Sequence, residues 1–80
     1  MKKDLFNTSQ RMYEIFIIEN GEAIKLKLSV ESIFQESENE YMFALQEITD
    51  TVLDLKKGES MYFQPNRDNG KSRGIILRIN

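Results

Sequence analysis

The 80-residue chain has no cysteine, no histidine and a single proline. Without cysteine no disulfide can staple the fold, and no thiolate is available to bind metal or attack a substrate. Without histidine the usual near-neutral proton shuttle and the commonest metal ligand are both missing. No apolar run approaches the roughly 18 residues that a membrane-spanning helix requires. The first ten residues, MKKDLFNTSQ, open with two lysines but lack the apolar core of a secretory signal. The Asn7-Thr8-Ser9 sequon within them is accordingly read as chance. The expectation is a cytoplasmic protein with no metal, no cofactor and no membrane segment.

A chain of this length forms one domain and buries only about 60% of its unfolded surface, so the core is small. Hydrophobic residues at 40% and charged residues at 30% suit a soluble globular domain. The net charge of −2 conceals a split. Five Lys/Arg stand against eleven Asp/Glu through Leu55, and six against two from Lys56 onward. Such asymmetry can mark a face for an anionic partner, or simply decorate a surface.

Period two dominates what is present. In MYEIFIIENGEAIKLKLSV, Asn20-Gly21 is the preferred pair for a two-residue type I′ turn, because both central residues need positive φ. That turn sets a register placing Ile17 opposite Ile24, Ile15 opposite Leu26 and Tyr13 opposite Leu28, all on one face. The other face pairs Glu14 with Lys27 and Phe16 with Lys25, and leaves Met12, Phe16, Ile18 and Ala23 on its supposedly wet side. A slip of one residue would set lysines against the apolar row, so turn chemistry and side-chain pattern agree independently.

Downstream, the second strand is expected to run on through Val30 to Phe34 across a bulge at Glu31-Ser32. QESENE, Gln35 to Glu40, reads as an acidic loop, and Tyr41 to Ile48 as a third strand with both faces partly apolar. Thr49 to Ser60 fits either a short strand or a helical turn near 50–56, capped by Thr49 or Asp50 with Val52, Leu53 and Leu55 inward. Lys56-Lys57-Gly58 reads as a turn. Ser60 to Gln64 is a strand stopped by Pro65, and Ser72 to Asn80 a last strand with Ile75, Leu77 and Ile79 alternating. Between them Asp68-Asn69 suits a type I turn and Gly70 the left-handed position of a bulge. Residues 1–10 show no period and read as a flexible tail, with a single β domain over 11–80. The predicted class is all-β: five short antiparallel strands in a curled sheet or a small SH3-like or oligonucleotide-binding-like barrel.

Candidate chemistry thins out on inspection. Gly70-Lys71-Ser72 ends like a phosphate loop, but the first glycine of that motif would fall on Pro65 and a strand pattern follows Ser72. A calcium loop starting at Asn66 would need glycine at Lys71 and glutamate at Leu77. No histidine base serves the serines and threonines, and the carboxylates of ESENE are solvated by their own composition, so no enzymatic activity is expected. What remains is binding. The leading expectation is a small bacterial-type accessory domain that interacts with another protein or with itself, through a sheet edge or an apolar patch containing Phe16 and Ile18. The alternative is a nucleic-acid-binding barrel using Lys56, Lys57, Tyr62, Arg67, Lys71 and Arg73.

Overall fold

The computed structural model describes residues 11–35, 39–66 and 70–80; the expected tail over 1–10 lies outside them. β1 (Met12–Glu19) and β2 (Glu22–Ser29) form the hairpin that the sequence predicts. Asn20 at φ 54° and Gly21 at φ 78° supply the two positive angles, and all eight predicted cross-strand positions pair in register. β3 (Ser60–Phe63) and β4 (Arg73–Arg78) follow later in the chain. The four antiparallel strands lie in the order β2-β1-β4-β3.

The expectation of an all-β fold, five strands in a curled sheet or a small barrel, is overturned. The sheet is open, and three short helices cover one of its faces, which makes the fold α+β. They are α1 (Val30–Gln35), α2 (Glu40–Gln46) and α3 (Thr49–Leu53). The supposed continuation of β2 is α1. Ser29 turns its Oγ to accept from the Ser32 N–H at 3.2 Å, the bond of a helix cap, and Val30 and Ile33 then face inward at helical spacing. Glu31 and Ser32, read as a bulge, are the solvent side of that helix.

The supposed third strand is α2. Asn39 accepts from the N–H groups of Tyr41 at 2.8 Å and Met42 at 3.2 Å, and the Met42–Leu45 pair is buried while Phe43 faces out. Met, Ala, Leu and Gln are strong helix formers, and with a capping asparagine in front they override an apparent two-residue period. Around 50–56 the helical alternative holds: Val52, Leu53 and Leu55 are buried. Neither Thr49 nor Asp50 caps that helix. Ile48 occupies the cap position, and the Thr49 hydroxyl donates back to the Gln46 carbonyl at the end of α2.

Tyr13, Ile15 and Ile17 of β1 and Ile76 of β4 form the sheet side of the core, against Val30, Ile33, Met42, Leu45, Val52, Leu53 and Leu55. Polar bonds tie the layers together at one end. The Arg11 guanidinium donates to the Leu53 carbonyl at 2.7 Å, Arg78 donates to that of Leu55 at 2.7 Å, and the Tyr13 hydroxyl donates to that of Val52 at 3.4 Å. The carbonyls at the end of α3 and just beyond it, of which that of Val52 also accepts from the Leu55 N–H at 3.2 Å, are thus met by side chains of Arg11 and the sheet, which act as its C-cap. Arg78 therefore serves the fold rather than a surface.

Two outcomes follow. Gly21→Ala should cost about 1 kcal/mol, the penalty for a side chain at positive φ, read as a lower urea midpoint with an unchanged slope. Arg78→Met should cost about 1.5–3 kcal/mol, because it removes the charged donor that meets the Leu55 carbonyl. An unchanged midpoint in Arg78→Met would show that the bond to the Leu55 carbonyl adds nothing to the hold on α3.

Candidate functional site

The face of the sheet turned away from the helices is the first surface of interest. Alternation places Met12, Glu14, Phe16 and Ile18 of β1 there, with Lys25 and Lys27 of β2, Arg73, Ile75 and Leu77 of β4, and Tyr62 of β3. Phe16, Ile75 and Tyr62 stand opposite one another in a single row across three strands. Ile18 is 55% exposed and Tyr62 80%. Lys25 lies over the Phe16 ring with its Nζ 5.6 Å from the centroid, and it pairs with Glu14 at 3.3 Å. With Lys27 and Arg73, the charged rim of this face is mainly positive, in a chain that is negative overall.

The residues proposed for protein contact, Phe16 and Ile18, are thus neighbours on this face. The six proposed for an anionic partner are not brought together. Tyr62 and Arg73 share the outer face, Lys56 and Lys57 are exposed beyond the start of β3, and Lys71 is exposed ahead of β4 at the opposite end. Arg67 lies outside the described residues.

The stretch around Gly70 is a staple. Pro65 and Ser72 are fully buried, and the Gln64 amide donates to the Asn66 carbonyl at 3.0 Å and to Ser72 Oγ at 3.1 Å. The bulge position proposed for Gly70 turns on backbone that lies outside the described residues; Gly70 itself is exposed, and a Cβ there would meet nothing within 4 Å. The proposed turn at Asp68-Asn69 lies outside the described residues.

Sequence reasoning missed Ile75 and Leu77 as outer-face residues. Alternation alone does not show it, because Gly74 contributes no side chain to the pattern. Phe63 stands opposite Gly74 on the inner face, and a Cβ there would meet its ring at 2.7 Å. Gly74 is thus a core position whose volume is supplied by a neighbouring strand, which puts Ile76 inward and Ile75 and Leu77 outward.

A second surface is a groove of about 480 Å³ between α2 and β3. Phe43, Ala44 and Ile48 line one wall, Met61 and Phe63 the other, and Glu40 and Glu47 stand among the lining residues on the helix side. Phe43 is 47% exposed. Burial, and then the negative charges of Glu19 and Glu40, hold the Tyr41 hydroxyl above the ordinary phenol range, which marks this end of α2 as electronegative. Among the described residues no group of three or more acidic side chains is gathered to hold a metal ion, and no helix is long and apolar enough to cross a membrane.

Gly74→Val should destabilise by about 2 kcal/mol or more, because the Phe63 ring must leave its place for the new side chain. The double variant Gly74→Val/Phe63→Ala should recover part of that loss, as coupled neighbours do. Additive losses in the cycle would show that Phe63 does not fill the glycine's place. Comparison with family models, with curated proteins and with solved structures gives no match.

Proposed function

We propose that the protein is a non-enzymatic binding module, acting in the cytoplasm as an accessory to another protein that it contacts through the outer face of its sheet. The observation that carries this reading is the grouping of Phe16, Ile18, Ile75 and Leu77 at the middle of a face that no described element covers. A solvated sheet face ordinarily alternates to polar residues. Contiguous apolar side chains inside a charged rim are the composition of an interaction surface. The rim of Lys25, Lys27 and Arg73 favours a partner with an acidic border. It also disfavours a second copy docking face to face, because like charges would meet.

The nucleic-acid reading has one observation in its favour: the row Lys25-Phe16-Ile75-Tyr62 sets two aromatic rings beside cations on one face. Bases can stack on such rings. Against it, Ile75 separates the rings, and Glu14 places a carboxylate beside Lys25 where phosphates would pass. The protein reading therefore stands first.

Three measurements separate the readings. A fluorescent single-stranded oligonucleotide at low salt should show no anisotropy change. Salt-sensitive binding that is lost in both Phe16→Ala and Tyr62→Ala would replace the protein reading with the nucleic-acid one. Sedimentation equilibrium should find a monomer; a dimer dissolved by Ile18→Lys would turn the face into a self-association surface. Finally, a partner identified by photo-crosslinking from position 18 should bind purified Ile18→Lys about tenfold or more weakly than the unaltered chain, while the unfolding midpoint moves by less than about 0.5 kcal/mol.

A further inference from the structure

Strand β3 stands last in the strand order and, among the described residues, pairs with β4 alone. Its ladder phase can be read from the Arg78 N–H, which donates to the Glu59 carbonyl at 2.9 Å. Glu59/Arg78 is thus a hydrogen-bonded position, and alternation makes Met61/Ile76 and Phe63/Gly74 the next two. The N–H and C=O groups of Ser60 and Tyr62 consequently point away from β4, toward the open edge. That edge borders the groove against α2, so an added strand would send every second side chain between Phe43 and Ile48 on one wall and Met61 and Phe63 on the other.

The other edge of the sheet, β2, carries Lys25 and Lys27, the residues that discourage strand addition. β3 carries no charge between Ser60 and Phe63. The groove is bordered instead by Glu40 and Glu47. A second copy pairing β3 to β3 would bring two such acidic borders to one seam, which opposes self-pairing.

We infer that the β3 edge and the α2 groove form a second docking site, which takes an extended segment of another protein, alternating apolar and Lys/Arg side chains, as a fifth strand. It is independent of the outer face, whose rim has the opposite charge.

The test uses the full isotope-labelled chain and two blocked peptides of about eight residues, a common strand length, one alternating Val with Lys and the other Val with Glu. The basic peptide should shift the amides of Phe43, Glu47, Ser60 and Tyr62. It should slow hydrogen exchange at the Ser60 and Tyr62 N–H groups, and bind about tenfold more tightly than the acidic one. Tyr62→Pro removes an edge donor that the β3–β4 ladder does not use, so it should keep the dispersed spectrum and lose binding. Glu40→Gln/Glu47→Lys, which leaves the backbone untouched, should abolish the preference for the basic peptide. Ile18→Lys should bind as the unaltered chain does, which separates failure of this site from failure of the outer face. Shifts confined to the outer face, no shifts at all, equal affinity for both peptides, or a β3–β3 dimer in the free protein would each overturn the inference.

Discussion

β1 hydrogen-bonds to two neighbours, β2 on one side and β4 on the other, and its alternation assigns a face to almost every other residue of the sheet. With Tyr13, Ile15 and Ile17 turned inward, Phe16 and Ile18 must turn outward, and β4 inherits the same division through its pairing. The inward row can be buried only if something covers it, and the three helices between β2 and β3 do so. The outer face is then what the chain has left over. Its apolar content was not needed to close the core, because the core is complete without Phe16, Ile18, Ile75 and Leu77.

Sequence and structure agree where local chemistry and tertiary packing demand the same thing. Asn20-Gly21 fits one kind of turn, and the only register that turn allows also segregates the side chains. The β3 and β4 strands were legible for a similar reason: Pro65 and the polar residues near it punctuate them. α1 and α2 were not, because each is short, and a helix of six or seven residues offers at most two inward positions three apart; only the turn at α3 was offered, as an alternative to a strand. Met42 and Leu45 fit that spacing, but Tyr41, Phe43 and Leu45 fit a strand equally well. The deciding residues were Ser29 and Asn39, whose side chains accept from the first turns of α1 and α2, and capping chemistry of this kind is visible in a sequence. Reading those two residues as caps would have removed the spurious third strand and the false continuation of the second, and with them the barrel.

The candidate surfaces were legible to the same degree. Phe16 and Ile18 could be placed because the hairpin register placed them, and Tyr62 could be separated from Met61 and Phe63 by parity alone. The α2 groove could not be seen while Tyr41 to Ile48 was taken for a strand, since one of its walls is a helix. Gly74 hid the facing of β4. A glycine contributes no side chain to an alternation pattern, and only the Phe63 ring lying over it shows that the position belongs to the core.

Charge shows most plainly how sequence order and spatial order diverge. Along the chain the positive residues gather after Lys56, yet folding disperses them. Arg78 is drawn onto the Leu55 carbonyl, and Lys56 and Lys57 lie at the opposite end of β3 from Lys71. The positive rim of the outer face draws instead on Lys25 and Lys27 from the acidic half, with Arg73, among the described residues, as the contribution from the basic half. The negative border of the groove comes from α2, which the helical spacing of Glu40 and Glu47 turns toward β3. Two surfaces of opposite sign thus meet at one strand, whose Tyr62 side chain belongs to the first and whose Tyr62 backbone belongs to the second. An uncharged, four-residue edge strand is where such a junction is tolerable: a lysine there would guard the edge but repel the basic segment, and a glutamate would do the reverse on the outer face.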